Sequence, residues 1–225
     1  MQKVNDEGAL RRYCAKLLSG GVDLSFLKGY PLELLLFSRG EFLCRLDEPM
    51  PYLLLLVEGR AKVFCMLENG KSLLFAFIQG IQVVGDLELA VDLNARNCVQ
   101  ATTEVYCLGI PIAACRDKML LDTKFLCFIS RELAKKLVNC SANYAANMLY
   151  TLECRLASYM LHTEENGIFA EHLGALADIL GASYRHLLRV LQAFVQSGTI
   201  EKYQNGYRIL DHAALKQLGK DIYRY

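Results

Sequence analysis

The sequence predicts an α+β protein in three parts: an N-terminal antiparallel β-roll of the double-stranded β-helix, jelly-roll-like type, a long dimerisation helix and a C-terminal winged helix-turn-helix. Short β-rich runs between residues 30 and 110 are interrupted by turn residues about every 8 to 12 positions. A proline-free stretch with apolar residues at three-and-four spacing follows, and the remainder contains two short helices and a hairpin. We expect residues 1–120 to form the roll, residues 121–162 the dimerisation helix and hinge, and residues 163–225 the winged helix-turn-helix.

Composition narrows the class of protein before any motif is considered. The 225 residues carry 25 basic and 24 acidic side chains, a net charge of +1, which excludes a histone-like or polybasic membrane-surface protein. A hydrophobic fraction of 53% against 22% charged residues indicates a folded chain. The apolar runs are far shorter than the ~20 residues of a transmembrane helix, and the N-terminus lacks the apolar region of a secretory signal. We therefore expect no membrane association and a cytoplasmic location.

Histidine and cysteine placement argues against a metal or enzymatic site. All four histidines lie at His162 or later, so a roll of the cupin type would lack the imidazole ligands of a metalloenzyme. Nine cysteines in a chain with no secretory signal favour reduced thiols, most of them packed in cores. The sequence contains no nucleophile motif and no phosphate-binding glycine loop. We expect no catalytic residues, no metal and no evident cofactor; an enzyme built on the roll is a remote alternative.

Two segments of the N-terminal part carry local signals. Leu10, Cys14, Leu17 and Leu18 share the spacing of one helical face within the first 28 residues. The dipeptide Asn69-Gly70 between two β-rich runs predicts a hairpin with a type I′ turn.

One long helix is predicted from Leu121 to His162, with an apolar stripe near the helical repeat. Two interpretations remain open: the stripe packs on its own domain, or it pairs with a second copy in a homodimer. For the homodimer, Asn147 would fix the register at a polar point of the seam. The expected interface residues are Leu126, Ile129, Leu133, Leu137, Cys140, Tyr144 and Asn147.

The C-terminal segment has the pattern of a winged helix-turn-helix. An apolar stripe ends at Gly181, Ser183 can cap a second helix, and Gln204-Asn205-Gly206 joins two short strands as a wing. Second helices of this kind present arginine to guanine in the major groove, and wings reach phosphates. The predicted DNA-binding residues are Ser183, Tyr184, Arg185, His186 and Arg189 on the helix and Lys202, Tyr203 and Arg208 on the wing. The alternatives are a helical hairpin with solvated arginines and a protein-interaction module.

The order of these parts over about residues 22–210 resembles the Crp/Fnr superfamily of bacterial transcription regulators. The resemblance rests on the glycine-punctuated roll and on LADILGASYRHLLRVLQAFVQSGTIE, with its helix, GxS turn, recognition helix and wing. It implies a homodimer on two-fold-symmetric double-stranded DNA, with RNA polymerase as a candidate further partner. Tyr184 and Arg185 replace the Arg-Glu pair of members that read the common half-site, so the operator should differ.

The resemblance also implies an effector site in the roll. In members that bind cyclic AMP, a Gly-Glu holds the ribose and an Arg-Ser/Thr-Ala about ten residues later holds the phosphate. Here Asn97-Cys98 replaces the hydroxyl-bearing pair and the spacing is one residue short, so we expect a small-molecule effector other than cyclic AMP. Iron–sulfur members cluster cysteines near the N-terminus, where this chain has Cys14 alone. A redox response at Cys140 and a ligand-independent regulator are the alternatives. The candidate effector residues are Gly85, Asp86, Leu87, Arg96 and Asn97.

Overall fold

The N-terminal half of the chain contains two antiparallel sheets. The computed structural model describes residues 1–18, 24–68, 71–91, 94–220 and 222–223. The strands in these ranges are β1 (Gln2–Lys3), β2 (Glu33–Phe37), β3 (Phe42–Cys44), β4 (Tyr52–Glu58), β5 (Arg60–Met66), β6 (Ser72–Gln79), β7 (Gln82–Val84), β8 (Cys98–Ala101), β9 (Val105–Pro111), β10 (Ile168–Phe169), β11 (Ile200–Tyr203) and β12 (Gly206–Ile209). The helices are α1 (Glu7–Leu18), α2 (Asp86–Val91), α3 (Ile112–Leu121), α4 (Thr123–Leu149), α5 (Leu152–Thr163), α6 (Leu173–Ile179), α7 (Tyr184–Gln196) and α8 (His212–Gly219).

The predicted antiparallel roll is confirmed. One sheet has the strand order β1-β2-β9-β4-β7 and the other the order β3-β8-β5-β6. Strand β4 is buried from Leu53 to Val57, because side chains on both of its faces are covered by protein. The Asn69-Gly70 turn lies outside the described residues, while the adjacent Leu67 N–H donates to the Lys71 carbonyl at 2.8 Å.

Gly59 makes the tight turn between β4 and β5. Its φ of 93° lies in the left-handed region, and a Cβ placed there would lie 2.1 Å from the Glu104 carbonyl oxygen. Only glycine fits this close backbone approach, which brings β4 and β5 into different sheets of the roll.

The chain divides into two units. The first comprises Met1–Val63 with Ile78–Asn139, and its core contains α1 residues, the sheet interior and aromatic residues of the first part of α4. The second comprises Phe64–Phe77, which includes parts of β5 and β6, together with Cys140–Arg224. This division differs from the boundaries expected from sequence, which remain a prediction.

The prediction of one continuous helix across residues 121–162 is wrong, because the helix is interrupted twice. Asp122 separates α3 from α4, where its Oδ1 accepts from the backbone N–H groups of Lys124 and Phe125 at 3.0 and 3.2 Å. The helix ends again at Leu149, and Thr151 is extended, with φ −65° and ψ 163°, before α5 begins. Neither break carries a proline or glycine, so apolar spacing alone did not reveal them.

The second unit holds a winged-helix sheet with the order β10-β12-β11 and a C-terminal segment bound to its helices. Tyr223 is fully buried; its hydroxyl donates to Asn147 Oδ1 at 2.6 Å and its carbonyl accepts from Phe77 N–H. The Ser158 hydroxyl donates to the Ile222 carbonyl at 2.7 Å. None of the described helices combines the length and hydrophobicity that crossing a membrane requires.

Candidate nucleic-acid interface and effector site

The helix-turn-helix is built by α6, a glycine turn and α7. Gly181 has a φ of 60°, the left-handed conformation that reverses the chain after α6. Ser183 caps α7, since its hydroxyl accepts from the His186 N–H at 3.2 Å. Leu187, Val190, Leu191 and Phe194 are buried, as predicted.

The opposite face of α7 is open to solvent. Ser183, Tyr184, Arg185 and Arg189 are exposed, whereas His186 is half-buried. Leu188 is exposed on the same face, with 38% of its surface accessible, and was not among the predicted residues. Charge and hydrogen-bonding capacity guided that prediction, so an aliphatic residue was overlooked; its helical spacing from Tyr184 could have indicated it.

The wing presents fewer unengaged charges than the sequence indicates. Arg208 Nη1 pairs with Glu201 Oε1 at 2.8 Å, and the guanidinium lies 3.9 Å from the centre of the Tyr203 ring. Arg208 and Tyr203 are therefore engaged with each other and half-buried, whereas Lys202 is exposed. Burial, with a smaller effect of nearby Tyr184, raises the pKa of Tyr207 in β12.

An acidic residue of α5 lies beside the recognition helix. Hydrogen bonds from its own backbone amide and from the Thr151 hydroxyl lower the pKa of the Glu153 carboxyl, and electrostatic interaction with His186 and Arg189 lowers it further. Residues 181–208 still carry four basic side chains against one acidic side chain, a local net charge of +3. Local excess positive charge of this kind is the electrostatic footprint of a phosphate-binding surface.

The helix α4 has an apolar face that the described chain leaves uncovered. Leu137 is 71% exposed, Tyr144 58% and Met148 70%. Ala134 and Ser141 are also exposed, and together these five residues follow a three-four spacing of coiled-coil type.

The predicted interface residues divide between this face and the interior. Leu126, Leu137 and Tyr144 are exposed, while Leu133 and Cys140 are half-buried. Ile129 is 4% exposed and belongs to the core of the first unit, which corrects its assignment to an interface. Asn147 donates to the Leu74 carbonyl at 2.8 Å and accepts from Tyr223, so its amide is bound within the second unit instead of fixing a register.

Asp86, a candidate effector ligand, is already bound by a lysine of α4. Lys136 Nζ donates to Asp86 Oδ1 and Oδ2 at 2.6 and 2.7 Å and to the Val83 carbonyl at 2.8 Å. An ammonium group has three N–H donors, so these contacts use its whole hydrogen-bonding capacity. The Asp86 side chain is 3% exposed and that of Lys136 20%. The carboxylate is thus neutralised inside the protein.

The other candidate effector residues do not converge on Asp86. Arg96 is exposed, and its backbone N–H donates to Glu88 Oε1 at 3.2 Å. The Asn97 carbonyl accepts from the Cys44 thiol at 3.2 Å, and Leu87 is 38% exposed. Gly85 has a φ of 96°, and a Cβ there would lie 3.1 Å from the Tyr52 carbonyl, so this glycine serves the turn.

All nine cysteines are thiols, and most are shielded. Burial raises the pKa of Cys44 to about 12 and that of Cys107 strongly. Cys127 is exposed, on α4. Within the described ranges, His, Cys, Asp and Glu side chains form no group of three that could bind a metal ion.

Comparison with known proteins defines the class that this roll and helix-turn-helix belong to. Residues 34–121 match the cyclic nucleotide-binding domain model, and residues 154–218 match the Crp-like helix-turn-helix domain model. The Regulatory protein YeiL of Escherichia coli O157:H7 is 30% identical over 186 residues, covering 83% of this chain and 85% of that protein. The chain belongs to the Crp/Fnr family and is a DNA-binding transcriptional regulator, which confirms the sequence-based expectation.

Solved structures share the fold at low sequence identity. A CRP-family transcriptional regulator from Thermus thermophilus superposes with a TM-score of 0.67 at 21% identity, covering 84% of this chain and 98% of that one. The c-di-GMP responsive global regulator CLP of Xanthomonas campestris gives a TM-score of 0.62 at 15% identity, covering 92% and 100%. These likenesses establish the fold alone.

Proposed function

We propose that this protein is a homodimer that binds a two-fold-symmetric operator, with α7 of each copy in the major groove. The observation that carries the proposal is the exposed, capped N-terminal half of α7 with Arg185 and Arg189 beside a wing that presents Lys202. Arginine pairs with guanine O6 and N7 in the major groove, and lysine binds phosphate. Because its ligand is chromosomal DNA, the protein would act in the cytoplasm.

The number of charges and the exposed α4 face support dimerisation. A net of +3 on one recognition unit supports few phosphate contacts, and a second copy doubles them. The exposed residues Leu137, Tyr144 and Met148 are large and apolar, and they lie along one helical seam. A second α4 would cover them in a parallel pair and hold two recognition helices about one DNA turn, ~34 Å, apart.

We further propose that the roll does not respond to cyclic AMP. Asp86 stands where the resemblance places the ribose-binding acid, but Lys136 donates a hydrogen bond to each of its oxygens. A nucleotide would have to displace an internal, bidentate, largely buried ion pair, and the exposed Arg96 offers no converging second contact. This geometry therefore favours a regulator that binds DNA without an effector over a regulator whose effector binds at Asp86.

Selection of bound sequences from a random duplex pool, at two salt concentrations, tests the DNA-binding proposal. We expect a two-fold-symmetric motif whose recovery falls as salt rises, because phosphate contacts release counterions. The Arg189→Ala variant should lose about 1 to 3 kcal/mol of discrimination at one base pair of each half-site. Lys124→Ala, an exposed lysine on α4, serves as the control. Absence of any enriched motif, or unchanged discrimination in Arg189→Ala, would contradict this assignment.

Titration of the selected operator with and without cyclic AMP tests the proposal about the roll. We expect the affinity for DNA to be unchanged at millimolar nucleotide. A tenfold or larger gain with cyclic AMP would show that Lys136 yields Asp86 to the nucleotide, and the proposal would be wrong.

A further inference from the structure

We propose that Leu188 recognises the methyl group of a thymine in each operator half-site. The inference rests on the proposed function and concerns the base specificity of the same surface. It assigns a role to a residue that carries neither charge nor hydrogen-bonding groups.

Leu188 lies on the exposed face of α7 in line with other side chains of that face. Residues four apart in a helix are neighbours on its surface, so Leu188 stands between Tyr184 and Gln192, with Arg185 and Arg189 beside it. All of these residues are exposed. Leu188 is therefore the aliphatic member of a face that otherwise carries aromatic, amide and guanidinium groups.

The exposure of Leu188 differs from that of the apolar residues that form the buried face of α7. Leu187, Val190, Leu191 and Phe194 are between 0% and 6% exposed, whereas Leu188 is 38% exposed. The opposite side of α7 is buried in the core of the second unit, and Leu188 does not belong to that core. Removing an exposed leucine side chain from water is favourable, so a partner that covers Leu188 would gain binding free energy from this contact.

Thymine is the base whose chemistry matches this side chain. Its 5-methyl group is the one apolar group that unmodified bases present in the major groove. A leucine can donate or accept no hydrogen bond, so its favourable contact at a base edge is with that methyl group. The adjacent arginines remain available to guanine, which predicts a half-site that contains both thymine and guanine.

Replacing thymine by deoxyuridine removes only the methyl group, which makes the test specific. Each thymine position of the selected operator is replaced in both half-sites, and affinity is measured by fluorescence anisotropy at constant salt. One position should weaken binding about 4-fold per half-site and about 15-fold for the pair, from the burial of one methyl group in each half-site. In Leu188→Ala this deoxyuridine effect should disappear, while Leu210→Ala, at an exposed leucine outside α7, should retain it.

The outcomes separate this inference from the proposed function. The Leu188→Ala variant should bind the deoxyuridine operator as tightly as the unaltered protein does, which also shows that the variant is folded. Specific binding with no deoxyuridine-sensitive position, or with the same sensitivity in Leu188→Ala, would overturn the role of Leu188 and leave the DNA-binding function intact. Failure of the unaltered protein to bind any operator would overturn both.

Discussion

Replacing Lys136 by methionine is expected to destabilise the first unit by about 3 kcal/mol, because it leaves the Asp86 carboxylate buried without a counter-charge. The Asp86 side chain is 3% exposed, so water cannot replace the lost ammonium group. Methionine keeps the length and most of the apolar stem of the lysine, which limits the loss of packing. Removing one member of a buried ion pair typically costs about 3 to 5 kcal/mol, and the 20% exposure of Lys136 places the expectation at the lower end of that range.

A double-mutant cycle isolates the pairing from the other effects. Asp86→Leu should also destabilise, whereas the double variant should be more stable than the sum of the two single changes predicts, by about 2 kcal/mol or more. Urea unfolding followed by circular dichroism gives the free energies. Lys124→Met on the same helix is the control and should change stability by about 0.5 kcal/mol or less. Additive single effects, or a loss below about 1 kcal/mol in Lys136→Met, would refute the inference that this pair is a buried, coupled unit.

Three further changes have expected outcomes. Burial raises the pKa of the Tyr30 and Tyr223 hydroxyls to about 12, so alkaline titration of tyrosine absorbance should show a late component, and the stability that these neutral phenols contribute should be lost between about pH 10 and 12. Gly59→Ala should destabilise by about 2 kcal/mol or more in urea unfolding, because its Cβ would lie 2.1 Å from a backbone oxygen. Leu137→Glu should weaken the proposed homodimer roughly 100-fold in sedimentation velocity, since two leucines each lose about 1.5 kcal/mol of burial.

Each of these outcomes has a matched comparison. The chain contains no tryptophan, so the absorbance change is due to tyrosine, and Tyr30→Phe should reduce the late component; its persistence in full would contradict the pKa assignment. Gly40→Ala has a similar φ of 85° with open space at its Cβ and should cost less than Gly59→Ala; equal costs would contradict the steric argument. Leu210→Glu, on an exposed leucine outside α4, should leave the dimer intact.

Local sequence signals predicted the elements whose cause is local. Gly181 and Ser183 determine the structure of only a few neighbouring residues, and the turn and the helix cap that they predict are present. Glu201 and Arg208 lie directly opposite each other across the wing turn, so their ion pair could have been inferred from the hairpin register. Because this ion pair was not considered, the predicted set of DNA-binding residues overstates the positive charge that the wing presents to DNA.

Contacts between distant residues could not be inferred from spacing. Asp86 and Lys136 are 50 residues apart, and no periodicity connects a turn of the roll with one position of a helix. Some apolar residues of α4 lie in the core and others are exposed. The spacing alone could not show that Ile129 belongs to the core. Asn147 was assigned to a seam because it lies at the spacing of the stripe, whereas its partners, Leu74 and Tyr223, come from remote parts of the chain.

The most direct test of the central claim is the affinity for operators that differ only in half-site spacing. A homodimer with two fixed recognition helices should bind the selected symmetric duplex as two chains per duplex. About five inserted base pairs rotate one half-site by about half a turn of DNA, and we expect this insertion to reduce affinity about 100-fold or more. Equal affinity for the two duplexes would contradict the account, because each helix-turn-helix would then be binding DNA independently of a second copy.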